Sequence, residues 1–443
     1  MEAFFILAHM KKTNIEELYQ IYLKHNSLSK DTRDIPKASI YFALKGENFN
    51  GNAFADEALG NGAAYVVIDE ETAWKDDRYL LVDNVLESLQ QLAQHHRQKL
   101  SIPIIAISGS NGKTTTKELI AAALSKKFKT LYTLGNYNNH IGVPLTLLRI
   151  SQKHEIAIIE MGANHQGEIA FLCQIAAPNY GMLTNIGKAH LEGFGGEEGV
   201  RKGKTEMFKY IDNNKGTLFV NLDDSKIKAS VPDNLTSITY SINESAQYRG
   251  KLLETHPRLI GTWESSSQSG EINSALYGAY NFHNILAACA IASHFGVESS
   301  KIDNAINTYE SDMNRSQLVK KLGANIYLDA YNANPSSLSL SLDNFEKVKA
   351  EKKVAILGDM FELGDSASDE HQKIIAQAKD CNSIQLFIFV GSHFYEHIYT
   401  NEKVLFFKTT AAAAEWFIAK KWDDFTLLLK GSRGMKLETI LEK

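Results

Sequence analysis

Apolar residues along this chain gather in short runs, and helix-like segments separate many of these runs. Between residue 104 and about residue 312, four runs are almost continuously apolar: IIAIS (104–108), EIAIIEMG (155–162), YGMLTNIG (180–187) and TLFVNLDD (217–224). Unbroken apolar runs are typical of strands that helices cover on both faces, as in a parallel sheet. Residues 225–275 are more polar, and we expect them to form a small β-rich insertion.

The sequence on either side of this region has patterns of its own. Residues 1–99 contain three shorter strand-like runs and one helix with a single apolar face, which are IYFALKG (40–46), AAYVVIDE (63–70), RYLLVDN (78–84) and the helix 85–99. From about residue 313 a second alternating series begins, with a helix at 411–422 before its last strand. Its strand-like runs are 325–332, 353–360, 385–391, 404–408 and 425–432.

These patterns predict an α/β protein with three domains. We expect a small mixed α/β domain over residues 1–99, a central parallel-sheet domain over 100–312 and a C-terminal Rossmann-like domain over 313–443. The chain has 443 residues, which is too long for one hydrophobic core and agrees with this division. Polar residues cluster just after several predicted strands, where open α/β sheets bind their ligands.

Composition narrows the class of protein. The net charge of −5, without a long block of Lys or Arg, argues against nucleic acid as a partner. Cys173, Cys289 and Cys381 form no CxxC pair, so we expect no disulfide framework and a reducing cytoplasm. The opening MEAFFILAHM lacks a basic segment, and we interpret it as a first helix or strand rather than a signal peptide. No apolar run approaches the roughly 20 residues of a membrane-spanning helix, so we expect a soluble protein, taken to be a monomer, without membrane insertion.

The stretch IAISGSNGKTTTKE (105–118) has the features of a phosphate-binding loop. A buried strand ends, two glycines permit backbone angles that other residues resist, and a helix with an apolar face follows. The helix N-terminus, the Lys113 ammonium and the Thr114 hydroxyl suit a nucleotide phosphate and its Mg²⁺. The candidate nucleotide-binding residues are Gly109, Ser110, Asn111, Gly112, Lys113, Thr114 and Thr115.

The loop alone does not identify the reaction. Its spacing, Gly-x-x-Gly-Lys-Thr, is shorter than the Walker A pattern, because position 107 is isoleucine where that pattern requires glycine. A switch GTPase would also need a guanine-reading Asn-Lys-x-Asp run, which the sequence does not contain. A kinase and a ligase both stay open at this point.

Polar residues near the predicted strand ends are candidates for metal or substrate contact. Glu160 ends a buried strand, so its carboxylate is either a Mg²⁺ ligand or an ordinary surface acid. His190 follows the next strand in a Gly-rich loop, where it is a metal ligand, a phosphate contact or incidental. Asn138 and Asn139 belong to GNYNNHIGVP (135–144), whose amides contact phosphate or substrate unless they only form turns.

Seven motifs, in order along almost the whole chain, together resemble the Mur ligase family of bacterial cell-wall synthesis. They are SGSNGKTTTKE, GNYNNHIGVPLTLL, EMGANHQGEIA, TNIGKAHLEGFG, DAYNANPSS, LGDMFELG and LLLKGSRGMKLE. In this family ATP phosphorylates a substrate carboxylate, and an incoming amine displaces the phosphate to form an amide. The resemblance therefore implies an ATP-dependent, ADP-forming amide ligase with Mg²⁺ as cofactor, in which the protein mainly positions the reactants and neutralises charge.

DAYNANP and LGDMFELG are most similar to the member that joins D-alanyl-D-alanine to UDP-N-acetylmuramoyl tripeptide in peptidoglycan synthesis, on which cell shape and division depend. The resemblance implies a UDP-substrate domain, an ATP-binding domain, and a C-terminal domain that brings the amine and closes over ATP. The third residue of the tripeptide, diaminopimelate or lysine, stays open. Two alternatives also stay open: another amide ligase, of the Mur or folylpolyglutamate synthase type, and a nucleotide-dependent protein that binds the precursor without turnover.

The resemblance implies catalytic and metal-binding roles for particular residues. Lys113 matches the lysine on the β and γ phosphates, Thr114 and Glu160 match ligands of one Mg²⁺, and His190 matches a ligand of a second. Lys204 matches the lysine that becomes carbamylated, a reaction with CO₂ that requires a neutral amine and hence a lowered pKa. Catalytic roles are thus implied for Lys113, His190 and Lys204.

Other positions match binding residues of the family. Asn281 and Asn284 match the adenine contacts, although Tyr280 stands where the family usually has histidine. Arg315 matches an interdomain arginine that reaches an ATP phosphate, and Asp329 matches the residue on the ribose hydroxyls. The implied substrate-binding residues are Thr32, Arg33, Asn138, Asn139, Asn332 and Asn334.

Overall fold

The computed structural model of the chain describes residues 11–311 and 315–442. The segment MEAFFILAHM, expected to be a first helix or strand, lies outside the described residues. The chain forms two compact units. The first comprises the described part of 1–106 together with 129–162 and 170–179, and the second comprises 107–128, 163–169 and the described residues after 179.

A four-stranded parallel sheet lies near the N-terminus of the first unit. The elements here are α1 (Ile15–Lys24), β1 (Leu28–Ser29), β2 (Ile40–Phe42), β3 (Lys45–Gly46), β4 (Phe49–Asn50), α2 (Ala55–Gly60), β5 (Tyr65–Ile68), β6 (Tyr79–Leu81) and α3 (Val85–Gln98). The strand order is β1-β2-β5-β6, with every pair parallel. β3 and β4 form a separate antiparallel pair, so the strand predicted over 40–46 is interrupted after Phe42.

Polar caps and apolar faces explain where the helices of this region begin and what they bury. The Asn14 side chain accepts a hydrogen bond from the Glu17 amide, and the Glu17 side chain accepts one from the Asn14 amide, which together start α1. Asn84 caps α3 in a similar way, and Leu89 and Leu92 on its inner face are fully buried. The helix predicted over 85–99 is confirmed.

The central region alternates strands and helices. Its elements are β7 (Ile104–Ser108), α4 (Lys113–Leu124), β8 (Thr130–Tyr132), α5 (Gly142–Leu147), β9 (Ile156–Glu160), α6 (Glu168–Ala176), β10 (Tyr180–Leu183), α7 (Leu191–Phe194), α8 (Glu197–Asn213), β11 (Thr217–Asn221), α9 (Ser225–Lys228), β12 (Ser237–Ser241), β13 (Tyr248–Glu254), β14 (Leu259–Glu264), β15 (Ser269–Ser274), α10 (Tyr280–His294) and α11 (Ser299–Asn307). In the first unit β9 lies between β7 and β8, and in the second unit the order is β15-β14-β13-β12-β11-β10-β7. The four buried strands predicted here are confirmed.

The polar region 225–275 is rich in strands, as predicted, but it is not a separate insertion. Its four strands extend the sheet outward from β11, parallel as far as β13 and antiparallel beyond it. A Cβ built on Gly250 or Gly261 would lie within 3 Å of the Phe282 ring in α10, so this helix covers one face of the strands. The other face is exposed, and the resulting alternation explains why the sequence is more polar here.

The C-terminal region of the second unit forms a six-stranded sheet. Its elements are β16 (Gln317–Lys321), β17 (Ala324–Asp329), α12 (Pro335–Glu346), β18 (Lys353–Gly358), α13 (Ala367–Asp380), β19 (Leu386–Val390), α14 (Ser392–Tyr395), β20 (Val404–Phe407), α15 (Thr410–Ile418) and β21 (Thr426–Lys430). The order is β16-β17-β21-β18-β19-β20, and only the pair β16–β17 is antiparallel among these strands. The predicted α/β class and the second alternating series are confirmed, although the helix predicted over 411–422 ends at Ile418.

Two further expectations concern the cysteines and the membrane. Cys173, Cys289 and Cys381 are all unbridged, as predicted. Within 11–311 and 315–442, no helix combines the length and the apolar content that crossing a bilayer requires.

Candidate active site

The loop between β7 and α4 has the backbone of a phosphate-binding loop. Gly109 and Gly112 adopt φ angles of 137° and 76°, which favour glycine. Space also requires glycine, since a Cβ on Gly109 would lie 2.0 Å from the Thr184 Oγ1 and one on Gly112 would lie 2.9 Å from the Asn284 Oδ1. Lys113 is the first residue of α4, so the positive end of the helix dipole faces the loop.

The residues after β10 hold this loop in place. The Ser110 hydroxyl donates to the Gly187 carbonyl at 3.0 Å, and the Asn111 amide donates to the Asn185 Oδ1 at 3.1 Å. The Lys113 ammonium donates to the Gly109 carbonyl at 2.7 Å and thus folds back over the loop. The loop is therefore preorganised by its own contacts and by the neighbouring strand end.

Helix α10 packs its buried asparagines against the loop. The Asn284 amide lies against Gly112 and donates to the Asn281 Oδ1 at 2.9 Å. Asn281, which is 1% exposed, donates in turn to the Tyr277 carbonyl and to the Ser316 hydroxyl. Asn284 thus lies against the phosphate loop and Asn281 is hydrogen-bonded to Asn284, and their contact with adenine stays a prediction.

Lys204 in α8 is fully buried. Its ammonium donates to the Ala163 carbonyl at 2.9 Å and lies 4.9 Å from the centroid of the Phe194 ring. Burial, and secondarily the charge of Lys113, holds the pKa of Lys204 well below its usual range. A buried amine that is easily neutral meets the requirement for reaction with CO₂, because the ammonium form has no free electron pair.

His190 adopts a left-handed backbone, with a φ of 53°, at the start of α7. Its ring pairs with Glu362, a residue of the loop after β18 that lies in the motif LGDMFELG. The hydrogen bond from His190 lowers the pKa of Glu362 below its ordinary value. A carboxylate on one ring nitrogen orients the histidine and leaves the other nitrogen for a metal or phosphate.

Residues of the C-terminal region contact the phosphate loop directly. Asn334 caps α12 and donates from its Nδ2 to the Asn111 Oδ1 at 2.7 Å. The Ser336 hydroxyl accepts a hydrogen bond from the Lys188 amide at 2.8 Å, and the Lys188 ammonium pairs with Glu370 at 2.9 Å. Asn334 thus joins α12 to the loop, and its predicted contact with substrate stays a prediction.

The other residues predicted from this region have local partners in the structure. The Arg315 guanidinium stacks 3.5 Å from the centroid of the Tyr331 ring. Asp329 accepts a hydrogen bond from the Lys430 ammonium at 2.5 Å, and the Asn332 Oδ1 accepts one from the amide that follows it. Their predicted contacts with phosphate, ribose and substrate stay predictions.

Glu160 and the asparagine-rich segment lie in the first unit. Glu160, 1% exposed at the end of β9, accepts a hydrogen bond from the Asn138 Nδ2 at 2.8 Å, so this amide orients the carboxylate. The Asn139 Oδ1 accepts a hydrogen bond from the amide of Gly142, the first residue of α5, at 2.9 Å.

The predicted nucleotide-substrate residues Thr32 and Arg33 also belong to this unit. Arg33 is 87% exposed and pairs with Asp31 at 2.6 Å, which lowers the pKa of Asp31 to about 2. The Thr32 carbonyl accepts a hydrogen bond from the Asn61 side chain at 2.9 Å. The structure brings neither side chain to a partner that marks a uridine site.

The oxygen donors among the predicted metal ligands fit Mg²⁺, whereas His190 offers a nitrogen. Thr114 and Glu160 offer oxygen atoms, which this cation prefers, and a carbamate on Lys204 would add an anionic oxygen. Across the described part of the chain, no three His, Cys, Asp or Glu residues lie together in a way that could hold a metal ion.

Sequence reasoning missed several residues that shape the site. Thr184 and Asn185 hold the phosphate loop, and Lys188 and Glu370 pair across the second unit. The polar run TNIGK, at the end of a buried strand, could have pointed to Thr184, Asn185 and Lys188. Glu370 had no local signal, because its partner lies far away in sequence.

The chain matches two protein-family descriptions. Residues 107–292 match the Mur ligase middle domain, and residues 314–433 match the Mur ligase, glutamate ligase domain. The UDP-N-acetylmuramoyl-tripeptide–D-alanyl-D-alanine ligase of Bacillus subtilis (strain 168) is 30% identical over 435 residues, covering 94% of this chain and 92% of that protein. The ligase of the same name from Synechocystis sp. is 34% identical over 382 residues, covering 85% and 81%.

Solved structures of two MurF proteins have the same fold as this chain. MurF from Acinetobacter baumannii superposes with a TM-score of 0.83 at 28% identity, over 94% of this chain and 93% of that chain. MurF from Thermotoga maritima in complex with ADP also gives 0.83, at 26% identity, over 94% and 96%.

Proposed function

The chain belongs to the Mur ligase family, and on that premise we propose that it joins D-alanyl-D-alanine to UDP-N-acetylmuramoyl tripeptide with ATP, releasing ADP and phosphate. The relatives that carry this name match the chain over nearly its full length, which supports the choice of substrates. The product is a precursor of peptidoglycan, and we place the enzyme in the cytoplasm as a monomer.

One geometric observation carries the ATP-dependent half of the proposal. The Gly109–Gly112 loop has glycines at both ends with φ angles of 137° and 76°, and Lys113 at the start of α4, an arrangement suited to nucleotide phosphates. The MurF of Thermotoga maritima, which has the same fold, is in complex with ADP. Asn281, Asn284, Arg315 and Asp329 are the proposed contacts with the rest of ATP.

For this reaction the chain must position ATP, the substrate carboxylate and the amine, and must neutralise negative charge. A carboxylate is a poor electrophile, so transfer of the terminal phosphoryl group supplies a leaving group that the amine then displaces. Lys113 is proposed to stabilise the charge on the phosphate oxygens as the acyl phosphate forms. His190, which lies in the loop after β10 and is oriented by Glu362, is proposed to stabilise the same charge.

Mg²⁺ is the proposed metal, and it would supply further charge neutralisation on the phosphates. Thr114 and Glu160 are its proposed oxygen ligands, with His190 for a second ion. Lys204 is proposed to act as a carbamate, and its burial and lowered pKa support the neutral amine that this modification requires.

The remaining assignments also belong to the proposal. Thr32 and Arg33 are proposed contacts of the UDP substrate, and Asn138, Asn139, Asn332 and Asn334 those of the reacting groups. The three domains, 1–99 for the UDP substrate, 100–312 for ATP and 313–443 for the amine, are proposed with these boundaries. Closure around ATP would exclude the water that hydrolyses an acyl phosphate.

An isotope experiment tests the acyl phosphate. UDP-N-acetylmuramoyl tripeptide is prepared with heavy oxygen in its terminal carboxylate, and the inorganic phosphate released during ligation is analysed by mass spectrometry. We expect one heavy oxygen in each phosphate, since the carboxylate oxygen leaves with the phosphoryl group. Phosphate without the label would contradict this mechanism.

A panel of amines separates the alternatives. We expect ADP release with the UDP tripeptide and D-alanyl-D-alanine, but not with glutamate or diaminopimelate as the amine. Release with glutamate instead would favour another amide ligase of the superfamily. Tight ATP binding without amine-dependent ADP release would favour a protein that binds the precursor without turnover.

A further inference from the structure

Three loops meet beyond the carboxyl ends of β17, β21 and β18, which are neighbours in the C-terminal sheet. Ser432 joins them, because its hydroxyl accepts a hydrogen bond from the Phe361 amide at 3.0 Å and donates to the Ala333 carbonyl at 3.3 Å. The Ser432 amide donates to the Asp359 carbonyl at 3.1 Å. Open α/β sheets bind ligands at this edge, and Asn334, next to Ala333, contacts the phosphate loop.

Two arginines share one tyrosine at the surface of these loops. The Arg315 guanidinium lies 3.5 Å from the centroid of the Tyr331 ring, and that of Arg433 lies 5.7 Å from it. Cation–π contact of this kind fixes the position of a guanidinium. The Arg433 side chain is 61% exposed, whereas the Arg315 Nε is buried and has no hydrogen-bond partner among the described residues.

The charge at this surface is positive. Glu438 pairs with the Arg433 Nη1 at 3.1 Å, and it is the one carboxylate paired with either arginine within 11–311 and 315–442. Asp329, the last residue of β17, is paired with Lys430 and not with either arginine among the described residues. Two guanidinium groups against one carboxylate leave a site that suits an anion.

An apolar surface lies directly beside Arg433. The Phe361 ring is 39% exposed, and a Cβ built on Gly434 would lie 2.8 Å from it. Glycine at position 434 therefore lets the ring approach the backbone next to Arg433. An exposed ring against the backbone next to an exposed arginine matches a small molecule that combines methyl groups with a carboxylate, because guanidinium binds carboxylate through two parallel hydrogen bonds.

We infer that Arg433 binds the terminal carboxylate of D-alanyl-D-alanine, with Phe361 against its methyl groups, and that Arg433 thereby selects an amine substrate with a free carboxylate. This inference rests on the proposed function, since it names a contact for the amine substrate of that reaction. Arg315 is left for the ATP phosphate, so the two arginines recognise different anions.

The test removes each partner of this contact in turn. R433A is compared with wild type and with R78A, whose arginine is 58% exposed and likewise paired with a nearby carboxylate, Asp76. Each protein receives saturating ATP and UDP tripeptide with either D-alanyl-D-alanine or D-alanyl-D-alaninamide, which lacks the negative charge. In R433A we expect the KM for D-alanyl-D-alanine to rise about 10- to 100-fold, the preference for dipeptide over amide to disappear, and the KM for ATP to stay unchanged.

The outcomes separate this inference from the proposed function. If the wild type ligates no D-alanyl-D-alanine, the proposed function itself is wrong. If the wild type ligates it and R433A still prefers the dipeptide to its amide, Arg433 is not the carboxylate contact. A raised KM for ATP in R433A with an unchanged KM for the dipeptide would assign Arg433 to phosphate and overturn the inference. R433K, measured in the same way, replaces R433A if the alanine variant does not fold, and we expect it to keep only part of the preference.

Discussion

At the scale of single residues, Gly112 decides whether the phosphate loop can form. Its φ of 76° is unfavourable for other residues, and the space for a Cβ is taken by the Asn284 amide. We expect G112A to lose roughly 1–2 kcal/mol of stability and to bind ATP at least about tenfold more weakly, because both the backbone and Asn284 must shift. Thermal unfolding and calorimetric titration with ATP measure the two effects.

Gly60 provides the matched control for that substitution. It is the last residue of α2, is exposed, and has no atom within 4 Å of a built Cβ. G60A should keep the ATP affinity of the wild type and gain up to about 1 kcal/mol of stability. Equal ATP affinity in G112A and G60A would show that the loop does not need this glycine.

Lys204 is the residue that we propose to be carbamylated, and its protonation state decides whether CO₂ can react with it. Its lowered pKa makes the neutral amine available at a lower pH than in an exposed lysine, and the amine is lost as the pH falls through that lowered pKa. We expect ligation to decrease when CO₂ is removed, to recover with added bicarbonate, and to weaken towards acid pH. K204A should reduce kcat by roughly 100-fold or more, measured by coupled ADP release.

The same lowered pKa has a consequence for stability. The unfolded chain keeps a proton that folded Lys204 has released, so the contribution of this group to stability increases with pH up to its unfolded pKa.

The control for the bicarbonate experiment is K202A. Lys202 lies on the same helix with a side chain that is 60% exposed, and its replacement should leave bicarbonate dependence unchanged. Bicarbonate dependence that persists in K204A would contradict carbamylation of this residue.

At the scale of elements, the first turn of α12 connects the C-terminal sheet to the phosphate loop. Aspartate caps helices as well as asparagine, so N334D should change stability by less than about 0.5 kcal/mol. It replaces the donor that faces the Asn111 Oδ1 with a carboxylate, and we expect kcat/KM for ATP to fall about tenfold. Steady-state kinetics at varied ATP, with thermal unfolding beside it, test both expectations.

The matched control exchanges a similar cap elsewhere. Asn84 caps α3 through the Glu87 amide, just as Asn334 caps α12. N84D should leave both stability and the kinetics with ATP unchanged. If N84D and N334D have equal kinetics, the contact with Asn111 does not matter for ATP.

Elements were predictable from the sequence where burial was uniform. The strand from Ile104 to Ser108 is buried at every position, and its apolar run predicted it directly. β16 was missed because it is an edge strand with exposed lysines, which contains no continuous apolar run. β8 was missed because it has only three residues, with Leu131 alone buried. Strands of this kind are fixed by their partners rather than by their own pattern.

The residues of the candidate site likewise fall into those that a local motif predicts and those that only the fold brings together. The phosphate loop was predictable because Gly109, Gly112 and Lys113 act through local backbone geometry that a motif records. The pairing of His190 with Glu362 was not, since it depends on two loops brought together by the fold. Such contacts between residues distant in sequence leave no local periodicity or composition for sequence reasoning to use.

At the scale of the whole molecule, the second unit alone contains the phosphate loop, Lys204, His190 and the loops beyond the C-terminal sheet. A ligand that binds these residues in the folded state and not in the unfolded chain must raise the thermal midpoint. The extent of the rise reports affinity, and its dependence on metal reports whether Mg²⁺ takes part.

We expect MgATP at about 100 times its Kd to stabilise the protein by about 2.7 kcal/mol, which appears as a rise of several degrees in the thermal midpoint. ATP with EDTA should give a smaller rise, because the metal then no longer neutralises part of the phosphate charge. K113M should remove most of the rise even with Mg²⁺, and hydrogen exchange should slow at the Gly109–Thr115 segment and at the first turn of α12 in the wild type only. An equal rise in EDTA would show that the metal does not contribute to ATP binding, and an equal rise in K113M would place the nucleotide elsewhere.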